Sequence, residues 1–234
     1  MICDVHSHVL PAIDDGARSL SHSCELLSAM AARGVKCLAL TPHYDAALAP
    51  MDEFVRERAK AFARLAETPE AQGMTLTLGA EFYLNDTIFN YEDITPLCYE
   101  GTKLVLTELE FGDTFTRTAQ KRLLRFAEAF GVTPVLAHVD RYPFFRDLRL
   151  LEELWEMGCL FQWNLSSCLG FFGRRRFFRA FDRGLVHFLG GDVHRALIEE
   201  KKSQKGTDKI RAGRPALLDT VNALATEKIF FTKA

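Results

Sequence analysis

Short apolar runs alternate along the chain with longer stretches in which apolar residues recur every three or four positions. The first pattern predicts buried strands and the second predicts amphipathic helices covering them. Strands are expected over residues 2–10, 36–41, 74–78, 103–109, 133–137, 160–163 and 185–189. Helices are expected near 20–33, 51–68, 115–130, 148–157 and 174–183. Gly34, Gly131, Gly158 and Gly184 each follow a helical stretch, where a left-handed cap is expected. Strand–helix alternation with short links predicts a parallel α/β arrangement, closed into a somewhat distorted (β/α) barrel. Barrels of this kind carry their chemistry at the C-terminal ends of the strands. Residues 195–214 are polar and charged without a clear period, so a mobile loop is expected there. Residues 215–225 read as a closing helix with Pro215 near its first position.

Composition narrows the picture. The chain has 234 residues, 48% of them hydrophobic, enough for one sizeable core and one expected domain over 1–234. A net charge of −2 provides no field for polyanions, and no nucleic-acid partner is expected. No apolar run is long enough to span a bilayer, and no signal-peptide pattern precedes Asp4 and His6. No membrane insertion and a cytoplasmic location are therefore expected. The six cysteines are scattered without a Cys-x-x-Cys pair, which reads as reduced thiols rather than a zinc or disulfide framework.

The polar residues at the predicted strand ends carry the chemistry. His6 and His8 are two apart on the first strand, so their imidazoles share a face and form a ready chelate. Asp15, His43, Glu81, Glu108, His138, Asp192 and His194 follow, each at or just beyond the end of a predicted strand. Taken singly, each has an ordinary structural reading. Strand histidines can be hydrogen-bonded, and Asp14-Asp15-Gly16 can be a plain turn. A carboxylate ending an apolar strand, as Glu81 and Glu108 do, is costly to bury unless paired or metal-bound. Glu110 shares a face with Glu108 and competes with it. His22 is expected on the surface and His187 in packing or a hydrogen bond. Nine such ligands suit two or three divalent ions, and imidazole with carboxylate favours manganese, iron or zinc over calcium. Four carboxylates among three divalent ions leave a formally positive site, suited to a phosphate dianion.

In sequence order these residues resemble the PHP (polymerase and histidinol phosphatase) superfamily. The chain is most similar to its bacterial capsule and exopolysaccharide branch of manganese-dependent protein-tyrosine phosphatases. The resemblance rests on Val5-His6-Ser7-His8, Asp14-Asp15-Gly16, Thr41-Pro42-His43, Glu81 after Gly79-Ala80, and Thr107-Glu108-Leu109-Glu110. It continues through Ala137-His138-Val139-Asp140-Arg141-Tyr142, Phe161-Gln162, Leu169-Gly170-Phe171-Phe172-Gly173 and Gly191-Asp192-Val193-His194. It implies a trinuclear site on a distorted (β/α)7 TIM-like barrel, the PHP fold. By that pattern His6, His8, Glu81 and Asp192 hold one ion. Glu81, Glu108 and His138 hold a second, and Asp15, His43 and His194 a third. Val139 and Asp140 depart from the family's proline and glutamate.

The resemblance implies phosphomonoester hydrolysis by direct attack of a metal-bridging hydroxide. The expected substrate is a phosphotyrosine protein, in particular a bacterial tyrosine kinase of polysaccharide assembly. Arg141 binds a phosphate oxygen, and a second arginine is Arg195 or Arg214. Asp192 or a nearby histidine is the candidate general acid. Tyr142, Phe171 and Phe172 are candidates to flank a phosphotyrosine ring. Three rivals stay open. Cys168 to Arg174 has the Cys-x5-Arg spacing of thiolate phosphatases. The same metals could serve histidinol phosphate, a nucleotide or another small phosphoester. A non-catalytic regulatory partner of a polysaccharide-assembly complex is the third.

Overall fold

In the computed structural model, which describes residues 1–112, 114–195 and 197–231, strands and helices alternate along the chain. The first part runs β1 (Ile2–Asp4), α1 (Leu20–Arg33), β2 (Val35–Leu40), β3 (His43–Tyr44), α2 (Met51–Ala66), α3 (Pro69–Gln72), β4 (Thr75–Leu78) and β5 (Glu81–Tyr83). The second runs β6 (Leu104–Glu108), α4 (Arg117–Phe130), β7 (Thr133–Leu136), α5 (Leu148–Glu156), β8 (Leu160–Asn164), α6 (Phe171–Asp182), β9 (Phe188–Gly190), α7 (Leu197–Gly213) and α8 (Pro215–Ala225).

Every pairing of these strands is parallel. One sheet has the order β1-β2-β4 and the other β3-β5-β6-β7-β8-β9. Backbone bonds carry the β2–β4 pairing on into β3–β5: Gly79 N–H donates to Leu40 O and Glu81 N–H to Pro42 O. At the opposite edge Val5 N–H donates to Leu189 O, Asp192 N–H to His6 O and His8 N–H to Val193 O. The first and last strand segments therefore lie side by side, although their sequences are far apart.

The helices begin and end where local chemistry requires it. The Ser19 side chain accepts from His22 N–H at the start of α1, and Gly34 closes that helix at φ 94°. Thr116 does the same for α4, which Gly131 ends at φ 60°. Below the strand ends, Val5, Ala39, Tyr99, Leu106, Val135, Ala137 and Phe188 fill a buried apolar core. The Tyr99 hydroxyl donates to Val5 O at 2.9 Å, pinning the first strand segment just before its histidines.

Residues 195–214 correct an expectation, since most of them form the helix α7 rather than an irregular loop. Its buried face consists of Glu200, Ser203, Gly206, Thr207 and Ile210. A face so polar and small leaves no apolar period to detect. Gly206 is needed there because a Cβ would stand 2.0 Å from Leu165 O. Glu200 pairs with buried Arg33 (2.6 Å), which also pairs with buried Asp4 (2.7 Å). Asp4 in turn accepts from the backbone of His6 (3.3 Å) and Gly191 (2.8 Å). This polar chain ties α7 and α1 to the backbone beneath the candidate site.

Candidate metal centre

The strand ends deliver the nine nominated side chains to one place. Glu81 Oε2 lies 3.0 Å from His6 Nε2, 3.1 Å from His8 Nε2 and 3.1 Å from His43 Nδ1. Its other oxygen is 2.8 Å from His138 Nε2, which is 3.4 Å from Glu108 Oε1. Asp192 Oδ1 lies 3.6 Å from His6 Nε2 and 3.7 Å from His8 Nε2. Asp15 Oδ1 lies 3.6 Å from His43 Nε2 and 3.5 Å from His194 Nε2. Among the described residues three sets have ligand atoms mutually close enough to hold an ion. They are His6, His8, Glu81 and Asp192; His8, Asp15, His43 and His194; and His43, Glu81 and Glu108. His8 and His43 are thus shared more widely than the family pattern suggests, while His138 stands beside the third set. Glu110 is exposed and points elsewhere, so Glu108 is the carboxylate at the site.

The hydrogen bonds behind these side chains decide whether the set fits cations. Gln162 Oε1 accepts from His138 N–H at 2.6 Å and faces His6 Nδ1 at 3.0 Å. Asp14 Oδ2 faces His8 Nδ1 at 2.7 Å. Both partners are acceptors, so both Nδ1 atoms carry the proton. The two Nε2 lone pairs then point at each other across 3.1 Å and at Glu81. With both imidazoles neutral in this way, Glu81 Oε2 and Asp192 Oδ1 are buried without a hydrogen-bond donor. Acceptors facing acceptors in a buried pocket call for positive charge between them, as protons or as metal ions.

The acid–base balance agrees. Burial opposes charging His8, yet its bonds to Asp14 and Glu81 outweigh this and lift its pKa well above the usual value. Burial also opposes charging His138, but Glu108 and Glu81 raise it to about 10. Burial disfavours ionised Glu81, but His6 and His138 hold it well below the usual carboxylate range. The backbone is strained at two of the same residues: His138 has φ 31° and Asp192 φ 51°. Such left-handed, non-glycine positions cost about 1–3 kcal/mol each and persist where surrounding bonds over-determine them. Here Gln162 holds His138 N–H and His6 O holds Asp192 N–H.

Around this floor lies a more open rim. Arg141 Nη1 donates to Asp192 Oδ2 at 3.3 Å, and Asn164 Nδ2 donates to the same oxygen at 3.0 Å. Arg195 Nη2 reaches Asp15 Oδ2 at 3.4 Å. Arg214 instead pairs with Asp182 on α6, so of the two candidates only Arg195 faces the site. His22 is not an idle surface residue: its Nε2 lies 2.8 Å from Arg195 O and fixes that backbone. His187 is buried and accepts from Phe161 N–H, its pKa pushed down by burial to about 4.

The aromatic candidates divide. Tyr142 is buried and its hydroxyl bonds the backbone of Leu109, so it cannot flank a bound ring directly. Phe171 and Phe172 are exposed at the start of α6. The aromatic residue at the rim is Phe111, stacked on His138 and Tyr142 with the Arg141 guanidinium 4.9 Å from its ring. No spacing rule singled it out. Cys168 is fully buried and donates to Leu165 O and Gly206 O, and burial raises its pKa to about 11. A thiol so placed is no nucleophile, which removes the thiolate rival.

The family described as capsular polysaccharide synthesis, CpsB/CapC, matches residues 2–217. The chain belongs to the CpsB/CapC family. Relatives within it include the tyrosine-protein phosphatase YwqE of Bacillus subtilis (strain 168), 30% identical over 203 residues, covering 82% of this chain and 76% of YwqE. The tyrosine-protein phosphatase CpsB of Streptococcus agalactiae is 25% identical over 205 residues, covering 82% of each chain. A solved structure from work on YwqE and Streptococcus pneumoniae CpsB, described as metal-dependent tyrosine phosphatases, superposes with a TM-score of 0.75. It is 25% identical and covers 98% of this chain and 96% of its own. No helix among the described residues of this CpsB/CapC member is long and apolar enough to cross a membrane.

Proposed function

We propose that this CpsB/CapC member is a metal-dependent phosphatase that hydrolyses phosphotyrosine on a protein of capsule or exopolysaccharide assembly, with a tyrosine kinase as the natural partner. The observation that carries the reading is the buried convergence of His6, His8, Glu81 and Asp192, in which Glu81 Oε2 and Asp192 Oδ1 have no donor from neutral imidazoles, with Arg141 donating to the other Asp192 oxygen. His6, His8, Asp15, His43, Glu81, Glu108, His138, Asp192 and His194 are the proposed ligands of two or three divalent ions, manganese first. We read the strands as a distorted (β/α)7 barrel in which β2 with β3, and β4 with β5, are single interrupted strands. The bonds between the first and last segments support closure.

Bound divalent ions would polarise phosphoryl oxygens and bring the pKa of water towards about 7. The chain's own groups do the rest. Arg141 takes a phosphoryl oxygen through charge-assisted hydrogen bonds, and Asp192 with Asn164 sets its direction. Arg195, held through its carbonyl by His22, offers a second cation at the mouth. Phe111 presents a ring face beside Arg141 for a phenyl group. Asp192 is held in its ionised form: burial opposes this, and His6 outweighs it. That suits a ligand and arginine anchor, and a phenolic leaving group with a pKa of about 10 needs little protonation. The test is a substrate panel in manganese. Phosphotyrosine peptide should be preferred over phosphoserine peptide and histidinol phosphate. Preference for histidinol phosphate would keep the site and change the function.

A further inference from the structure

A second cavity of about 420 Å³ adjoins the candidate metal centre. It is lined by Asp140, Arg146, Ser167, Phe172, Gly173 and Arg176. Asp140 also lines the cavity that holds Arg141, Asp192 and His194, so the two share a wall. Three features of the second cavity ask for an anion. Arg146 is exposed and has no carboxylate partner among the described residues. Among the described residues Arg176 donates only to Asp140 O, at 2.7 Å; burial lowers its pKa, the Asp140 carboxylate offsets part of this, and Arg146 adds to it. Two guanidinium groups thus face one space, and among the described residues neither forms an ion pair with a carboxylate. The Ser167 hydroxyl is buried there without a partner. The first turn of α6, which has no side-chain cap, runs along the same wall. The Asp140 carboxylate offsets this charge only in part: it acts on Arg176 through space, while its Oδ1 accepts from Asn164 N–H.

The mouth is aromatic as well as basic. Phe172 is 84% exposed and Phe171 68% exposed, packed edge to face with ring centroids 5.4 Å apart. An anion carried on a ring meets both features, whereas a free ion uses only the arginines. We infer that this cavity is a subsite for a second phosphotyrosine on the same substrate segment whose first phosphotyrosine enters the metal centre. The inference rests on the proposed tyrosine-phosphatase activity and adds a rule to it: clustered phosphotyrosines are preferred.

The test compares peptides bearing one or two phosphotyrosines, with manganese-loaded wild type, Arg146→Ala and Phe172→Ala. Both replaced residues are exposed, so both variants should fold. Wild type should show a KM about ten-fold lower for the doubly phosphorylated peptide, the size of one charge-assisted contact. Arg146→Ala should erase that advantage while leaving kcat and all constants for the single phosphotyrosine unchanged. Phe172→Ala should reduce it. No preference in wild type, or an equal loss on both peptides in Arg146→Ala, overturns the subsite. Inorganic phosphate that alters turnover of the singly phosphorylated peptide in wild type but not in Arg146→Ala would put a free anion there and also overturn it. Absence of wild-type turnover on the single phosphotyrosine would instead sink the activity on which the inference rests.

Discussion

His6, His8, Glu81 and His138 have side chains shut off from solvent, whereas Asp15 is 55% exposed, His43 37% and His194 19%. These two groups lie within a few bond lengths of one another, yet they are supported differently. On the floor, His6 leans on Gln162, His8 on Asp14, and Glu81 on several imidazoles at once. On the rim, Asp15 is met by Arg195, itself exposed, and the His194 ring has Nδ1 3.2 Å from Asp192 O and Nε2 3.3 Å from His43 Nε2. Buried, doubly bonded ligands hold ions tightly, because reorganisation has no cheap direction. Exposed ligands exchange with water. The comparison predicts tightly held ions at the floor and a more labile one at the rim.

Breaking the floor gives the largest effect. Glu81→Ala or His6→Ala should abolish turnover and remove metal, read by elemental analysis of the purified protein. The next effect comes from the groups behind the ligands. Asp14→Asn turns one acceptor into an amide and should cost about 10–100-fold in metal affinity or turnover. Asp15→Asn on the rim should weaken only one ion, so a metal titration should lose its weakest step and keep the others. Cys168→Ser should leave turnover unchanged, and its chelator sensitivity should match wild type.

Acid–base behaviour separates the metal-free floor from the loaded one. With no metal, the raised pKa of His138 means that protonation stabilises the folded form. That contribution is fully present below about 6.5, the unfolded value. It is lost as pH rises towards about 10, the folded value. Metal-stripped protein should therefore melt at lower temperature as pH is raised from 6.5 to 9, beyond any change in the loaded protein. Loaded protein should show the opposite sensitivity, losing metal as acid protonates its imidazoles.

Much of this arrangement was legible in the sequence. The end of α1 and the start of α8 follow from Gly34 and Pro215. The nine strand-end residues gather because parallel strands all present the same end. Other parts were hidden for physical reasons. Glu108 and Glu110 share a face, and only tertiary structure turns one inward. Asp14 sits in a turn whose sequence marks Asp15 equally well. Gln162 and Asn164 act through hydrogen bonds to partners 24 to 156 residues away, which no local pattern encodes. Phe111 has no periodic context, and α7 buries a face without apolar residues.

The most direct test of the metal floor is to strip the protein of metal and titrate manganese back. Metal content and phosphotyrosine-peptide hydrolysis would be measured in the same samples. Turnover should be absent in the stripped protein and return as two or three ions bind per chain. Full turnover in protein shown to be metal-free would contradict it.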